Sequence, residues 1–110
     1  MQVQSITKNV RMSAQKMREM VRQIQGLPAL QAQNVLRFVS RKSARIVAKT
    51  LNSAIANAEN NNGVKPETLK VKEAVAQTAR SIKRFTPKAR GSAGPIIKRS
   101  CHVKIVVSDE

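Results

Sequence analysis

The fold is decided by residues 69–108, which read LKVKEAVAQTARSIKRFTPKARGSAGPIIKRSCHVKIVVS. Apolar and polar residues alternate at both ends of this stretch, over residues 69–76 and over residues 101–108. The first alternation puts four residues on a shared face: Leu69, Val71, Glu73 and Val75. A period of two is typical of a strand with one buried face, and we expect the two segments to pair antiparallel.

The connection between these two strands is long and basic. No acidic residue occurs from Ala74 to Ser108, whereas eight cations do: Arg80, Lys83, Arg84, Lys88, Arg90, Lys98, Arg99 and Lys104. Residues 86–95 lack the apolar period needed to pack on a core. We predict that residues 80–84 and 96–99 extend the strands into a projecting β-hairpin with a reach on the order of 30 Å. Because a two-stranded ribbon is marginal alone in water, an external surface must order it; the alternative is a basic loop without a defined site.

Upstream of these strands, the apolar residues recur every three or four positions, which predicts three helices. Ser13 is the expected N-cap of the first helix and Gly26 marks its end, while Pro28 fits the first turn of the second helix. The apolar stripes of these two helices contain Met17, Met20, Val21, Ile24, Ala32, Val35, Leu36 and Val39. Residues 2–8 alternate in part, and we expect them to form an edge strand.

The third predicted helix covers roughly residues 41–60, with Ser40 as its N-cap and Gly63 as a left-handed C-cap. Its apolar stripe is Val47, Leu51, Ala54, Ile55 and Ala58. Cations crowd its first turns: Arg41, Lys42, Arg45 and Lys49. Each exposed cation at a helix N-terminus opposes the macrodipole by about 0.3–1 kcal/mol, so this placement favours a surface that faces phosphate.

Composition restricts the function further. The chain has 110 residues and a formal net charge of +15, from 21 Lys and Arg against 6 Asp and Glu. This length allows one small domain, and the basic surplus makes nucleic acid the first candidate partner and an anionic membrane surface the second. No segment resembles an apolar signal sequence or approaches 18 apolar residues, so we expect a soluble cytoplasmic protein. The near absence of aromatic residues argues against base stacking as the main binding mode and leaves Phe85 as the candidate for it.

Little in the sequence supports catalysis. Cys101 is the only cysteine, which excludes an internal disulfide and a thiolate metal cage, and we expect no cofactor and no metal. Cys101 and His102 cannot act as a nucleophile and its base, because neighbours on a strand point to opposite faces. We therefore expect Cys101 in the core and His102 exposed or facing RNA.

Four stretches together carry a resemblance to a known family. They are VRMSAQKMR at residues 10–18, SAIANAE at 53–59, KRFTPKARG at 83–91 and KRSCHV at 98–103. In this order they span nearly the whole chain, which resembles the bacterial large-subunit ribosomal protein twenty-two family.

The resemblance implies an α+β fold with three helices packed on a small three-stranded antiparallel sheet and one long protruding β-hairpin. A globular body would comprise about residues 1–79 and 100–110, and the hairpin about residues 80–99. The implied function is that of a structural constituent of the large ribosomal subunit, not an enzyme. Such a protein binds several domains of 23S ribosomal RNA and aids early subunit assembly.

The resemblance also implies partners and site residues. The hairpin would line the nascent-peptide exit tunnel, near ribosomal protein four of the large subunit and the nascent polypeptide; neither a membrane nor a homo-oligomer is expected. The implied RNA-binding residues are Lys8, Arg11, Lys16, Arg18, Arg41, Lys42, Arg45, Lys49, Arg80, Lys83, Arg84, Lys88, Arg90, Lys98, Arg99 and His102. The implied tunnel-lining tip consists of Lys83, Arg84, Phe85, Lys88, Ala89, Arg90, Gly91, Ser92, Ala93 and Gly94.

A second hypothesis is an architectural DNA-binding protein whose basic β-arm lies in the minor groove. Pro87 and Pro95 would act as wedges between base pairs in that case. Such a protein would need a dimer with two arms, and the apolar residues of this sequence offer no obvious interface for one.

Overall fold

The chain adopts an α+β fold, as the sequence predicts. The computed structural model describes residues 2–87 and 93–109. In chain order the elements are β1 (Gln2–Val10), α1 (Ala14–Ile24), α2 (Ala29–Phe38), α3 (Lys42–Asn62), a 3-10 turn (Pro66–Thr68), β2 (Lys70–Thr78), β3 (Ile82–Pro87), β4 (Ala93–Lys98) and β5 (Cys101–Ser108). No helix among the described residues is long and apolar enough to cross a membrane.

The last strand of the chain lies at the centre of the main sheet. Strands β1, β5 and β2 form an antiparallel sheet in that order, so β1 is the edge strand that the sequence predicts. Helices α1 and α3 pack against the sheet, and α2 packs against α3. The core between them includes fully buried residues from each layer: Met17, Met20, Ile24, Val47, Leu51, Val71, Cys101, Val103 and Ile105.

Strand β2 corrects one sequence prediction. Val71 faces the core as expected, but Glu73 is exposed and Val75 half-buried, while Ala74 and Ala76 are buried. Val71 pairs with Val107 and Glu73 with Val106, so Lys72 is the extra residue of a β-bulge. Because a bulge inserts one residue, it exchanges the two faces of the strand beyond it. The predicted shared face therefore ends at Val71.

The helix ends confirm three predicted signals and correct one. The Ser13 side chain accepts a hydrogen bond from the backbone N–H of Lys16 at 3.4 Å, as an N-cap does. Gly26 and Gly63 have positive φ angles, +85° and +66°, and follow the ends of α1 and α3. Ser40 is not the N-cap of α3: Arg41 holds that position and makes no side-chain cap bond. The first turn of α3 thus combines cations with backbone N–H groups that no side chain caps.

The second helix begins one residue later than the sequence predicts. Pro28 lies at the N-cap of α2 and not within its first turn. The backbone of this N-terminus is held by β2, since the Ala29 N–H donates to the carbonyl of Leu69 at 2.9 Å. Within α2, Ala32 and Leu36 are buried as predicted, whereas Val35 is half-buried, as is Val39 at the C-cap of the helix.

The connection between β2 and β5 forms a β-hairpin of its own. Strands β3 and β4 pair antiparallel, from Ile82 with Lys98 to Pro87 with Ala93, as a two-stranded sheet separate from the main one. The molecule measures 63 × 25 × 17 Å, with a radius of gyration of 17.1 Å. A compact chain of about 100 residues has a radius of gyration of about 13 Å, so this protein is elongated.

The core can be tested at Leu51, which is fully buried in α3. We predict that Leu51→Ala lowers the free energy of unfolding by about 2–5 kcal/mol, because it removes apolar contacts and leaves a cavity. Urea denaturation measures this loss. Asn57→Ala, on the exposed face of the same helix, serves as the control and should change stability by less than about 0.5 kcal/mol. Equal losses in the two variants would contradict the core described here.

Gly63 provides a second test, of the α3 C-terminus. No atom lies within 4 Å of the position that a Cβ would occupy, so any cost of Gly63→Ala comes from its φ of +66°. We predict a loss of about 1 kcal/mol in unfolding free energy. Gly63→Asn should lose less, because Asn tolerates the left-handed conformation. If the two variants were equally stable, the left-handed cap would be disproved.

Candidate nucleic-acid interface

The positive charges of the described side chains lie on the surface of the protein. The buried polar residues among the described side chains are Ser43, Thr50 and Ser108, and no described cation is buried. Only one ion pair is present among these side chains, between Arg41 and Glu19 at 3.4 Å. Most of the described cations are therefore available to an external anion.

A groove between α2 and α3 carries three of these cations. It has a volume of about 760 Å³ and is lined by Arg37, Arg45 and Lys49 together with polar and small residues. Arg45 and Lys49 are one helical turn apart and so lie on the same side of α3. Arg37 belongs to the last turn of α2 and was not among the predicted site residues. We call this surface the α2–α3 groove.

The N-terminus of α3 is tied to its neighbours through its cations. Arg41 forms the ion pair with Glu19 of α1, and the Lys42 Nζ donates to the backbone carbonyl of Arg11 at 3.4 Å. Both partners of the ion pair are more than half exposed, so solvent screens it and its contribution to stability is small.

A second cationic cluster lies where the hairpin joins the body. Arg11, Arg80, Lys98 and Arg99 line a cleft of about 250 Å³ with Asn9 and Ser100. All four cations were predicted as RNA-binding residues, and they come from three separate parts of the sequence. We call this surface the hairpin-root cleft.

The remaining predicted body residues are spread over other surfaces. Lys8 and Lys16 are exposed on β1 and α1. The Arg18 Nε donates to the carbonyl of Ala76 at 3.1 Å, which directs this side chain towards β2. His102 is half-buried, and its Nδ1 accepts the backbone N–H of Asn9 at 3.0 Å. In the neutral ring this bond leaves Nε2 as the protonated nitrogen.

The predicted hairpin tip is described only in part. Lys88, Ala89, Arg90, Gly91 and Ser92 lie outside the described residues. The other tip residues belong to the paired strands: Lys83, Arg84 and Phe85 to β3, and Ala93 and Gly94 to β4.

Phe38 is an aromatic residue whose exposure the sequence analysis missed. It is 85% exposed at the end of α2, next to Arg37 and Val39, which line the α2–α3 groove. Phe85 is thus not the sole aromatic side chain that a partner could contact. The sequence contains a signal for this exposure, because Phe38 lies outside the apolar stripe formed by Ala32, Leu36 and Val39.

Cys101 and His102 lie on opposite sides of β5, as predicted, with Cys101 fully buried. Burial raises the pKa of the Cys101 thiol, and the nearby Arg18 charge only partly opposes that rise. The thiol is therefore protonated at neutral pH and shielded from reagents. Among the described residues, no group of three or more His, Cys, Asp or Glu is arranged to hold a metal ion.

Cys101 reactivity tests this burial directly. We predict that a maleimide leaves the native thiol unmodified on a timescale that fully labels the protein unfolded in urea. Raising the pH within the range where the protein remains folded should accelerate labelling less than it does for a free cysteine, because the thiol pKa is raised. Rapid native labelling would show that β5 is not the central, covered strand.

Comparison with known proteins agrees with this arrangement. A family model described as ribosomal protein L22p/L17e matches residues 5–108. The chain is 50% identical over 109 residues to large ribosomal subunit protein uL22 of Opitutus terrae, covering 99% of this chain and 96% of that protein. It is 44% identical over 110 residues to large ribosomal subunit protein uL22 of Methylacidiphilum infernorum, covering 100% and 96%. The chain therefore belongs to the ribosomal protein L22p/L17e family, and it is a non-enzymatic structural constituent of the large ribosomal subunit, which in bacteria is cytoplasmic.

Proposed function

We propose that this protein binds several domains of 23S ribosomal RNA and holds them in register from an early stage of subunit assembly. The observation that carries this proposal is the separation of charge and core: the described cations lie outside, and only one of them pairs with a carboxylate. The α2–α3 groove and the hairpin-root cleft are distinct surfaces on distinct elements. One small protein with two such surfaces can contact separate RNA segments at once.

The proposed chemistry is phosphate neutralisation. Lys and Arg displace counterions from the RNA backbone, which gives affinity that falls steeply as salt increases. Double-stranded RNA is recognised mostly through its shape, its phosphates and its 2′-hydroxyl groups. The α2–α3 groove could contact both phosphates and 2′-hydroxyl groups. Arg45 and Lys49 would bind phosphate, and Asn52 and Ser53 would form hydrogen bonds with hydroxyl groups. The body residues proposed to bind RNA are Lys8, Arg11, Lys16, Arg18, Arg41, Lys42, Arg45, Lys49 and His102.

We further propose that residues 80–99 act as an arm separate from the body of residues 1–79 and 100–110. The tip, residues 83–94, would line the peptide exit tunnel beside ribosomal protein four and the nascent polypeptide. Support comes from the separate pairing of β3 with β4, the elongated shape and the absence of acidic residues over this stretch. Arg80, Lys83, Arg84, Lys88, Arg90, Lys98 and Arg99 would neutralise the RNA around the arm.

The DNA-binding hypothesis has less support. It requires a dimer, whereas the large apolar side chains that are exposed among the described residues lie apart: Ile6 is on β1, and Leu30 and Phe38 are near opposite ends of α2. Membership in a ribosomal family favours RNA as the partner.

The α2–α3 groove can be tested by removing its charge. We predict that Arg45→Gln with Lys49→Gln weakens binding to transcribed 23S RNA about tenfold or more at moderate salt. The slope of log affinity against log salt should become shallower by about 2, because two phosphate contacts are lost. Filter binding over a salt series measures both quantities.

The control for this test is Lys70→Gln with Lys72→Gln, which removes two exposed charges from β2. It should change the salt slope by clearly less than the groove variant does. If both pairs changed affinity and slope equally, the RNA would be attracted only by net charge and the groove would have no specific role.

A deletion tests the proposed arm. Removing residues 88–93 should leave the far-ultraviolet circular dichroism of the body and co-sedimentation with large subunits intact. Because the tip would line the tunnel, cells that carry this deletion should respond differently to macrolide antibiotics. Global loss of secondary structure would show that these residues contribute to the core, and an unchanged macrolide response would contradict the tunnel assignment.

A further inference from the structure

The root of the hairpin is held by a small set of hydrogen bonds. The main sheet ends at the pair of Thr78 with Cys101. Beyond it, the Ala79 N–H donates to the Ser100 carbonyl at 3.0 Å, and the Ser100 hydroxyl donates to the Arg80 carbonyl at 2.6 Å. These bonds keep the outgoing and returning chains side by side before β3 and β4 begin.

The hairpin-root cleft brings together cations from three chain segments at this point. Arg11 comes from the segment after β1, Arg80 from the outgoing chain, and Lys98 and Arg99 from the returning chain. All four side chains are exposed. None of them forms an ion pair with a carboxylate in the part of the chain that the structure describes. The cleft therefore concentrates positive charge, and no carboxylate of the described residues compensates it.

Such a cluster is unfavourable unless an anion occupies it. Four like charges around one small cleft repel each other, and the repulsion weakens only with screening or with a bound counter-charge. Three of the four are arginines, whose planar donor forks match the oxygens of a phosphate. A volume of about 250 Å³ is large enough for a phosphodiester group and its sugar. Asn9 and Ser100 add neutral hydrogen-bonding groups to the lining.

A neighbouring cleft continues this surface. It has a volume of about 470 Å³ and shares Arg99 and Ser100 with the first cleft. The other polar residues of its lining are Ser13, Gln15, Arg18, Thr78 and Ser81. A nucleic-acid strand that places one phosphate in the first cleft thus finds further donors as it passes the root.

We infer that the hairpin-root cleft binds one phosphodiester group of RNA, gripped between the body and the hairpin. This inference rests on the proposed function and specifies a single binding site within it. Arg11 contacts the phosphate from the body, and Arg80, Lys98 and Arg99 contact it from the two chains of the hairpin. The bound anion relieves the repulsion among the four cations.

A mutant cycle with the full-length chain tests the shared site. Arg80→Gln and Lys98→Gln are made singly and together, and binding to transcribed 23S RNA is measured over a salt series. Each single variant should weaken binding about three- to tenfold and reduce the salt slope by about 1. The double variant should lose less than the product of the two single losses, because both residues contact the same phosphate.

The matched control is again Lys70→Gln with Lys72→Gln, which removes the same charge from exposed positions on β2. Circular dichroism confirms that each variant is folded. If Arg80→Gln or Lys98→Gln impairs folding, Arg11→Gln replaces that substitution and is combined with the other one, since Arg11 lies outside the hairpin and the new pair should show the same sub-multiplicative loss.

The outcomes separate this inference from the proposed function. Losses that multiply in full would mean that the residues contact different phosphates, and losses no larger than those of the control pair would mean that the cleft is not a site; either result overturns the inference while RNA binding stands. If the unmodified protein bound 23S RNA no more tightly than transfer RNA, the proposed function would fail, and the inference with it.

Discussion

The pairing of β2 with β5 is the constraint on which the rest of the structure depends. These strands are antiparallel neighbours, and their last pair joins Thr78 to Cys101. The chain between them must therefore leave the sheet and return to it at a single point. Residues 79–100 contain no apolar stripe that could pack on the helices, so the connection pairs with itself as β3 and β4. The pairing of β2 with β5 therefore determines both the small packed body and the basic hairpin that leaves it.

Charge and core are kept apart in this protein. The core includes aliphatic residues, methionines and alanines from the three helices and the three strands of the main sheet. The buried Thr50 hydroxyl shares a hydrogen bond of 2.7 Å with the hydroxyl of the half-buried Thr7. The cations among the described side chains lie outside the core, and several of them line the α2–α3 groove and the hairpin-root cleft. A net charge of +15 on 110 residues disfavours compaction through self-repulsion, and a polyanion removes that penalty. Membership in a family of large-subunit ribosomal proteins fits this charge distribution.

Much of the fold could be predicted from the sequence because its periodicities are clear. The stripes of α1 and α3, the Ser13 cap and the left-handed Gly63 all follow from local residue types. The bulge at Lys72 could not be predicted, since it depends on how β2 meets β5 and not on the residues of β2 alone. The central position of β5 could not be predicted either, because the alternation of apolar and polar residues in a strand does not specify how many strands pair with it.

The sequence predicted most of the cations of the candidate site, but it did not predict how they group into the α2–α3 groove and the hairpin-root cleft. Arg45 and Lys49 form a groove only with Arg37, which depends on how α2 crosses α3. Arg11 meets Lys98 and Arg99 because β1 and β5 are neighbours, with the end of β1 close to the start of β5. Neither surface can be recognised from the sequence, because the residues that line each one come from separate segments of the chain. The exposure of Phe38, by contrast, was predictable from the sequence, since Phe38 lies off the apolar stripe of α2.

The claim that RNA surrounds the hairpin from outside is tested most directly by photo-crosslinking within intact large subunits. A photoreactive amino acid replaces Arg84 in β3, and the crosslinked products are identified after irradiation. The structure and the family together predict crosslinks to ribosomal RNA. Crosslinks from this position back to the helices of the same chain, with none to RNA, would contradict the account.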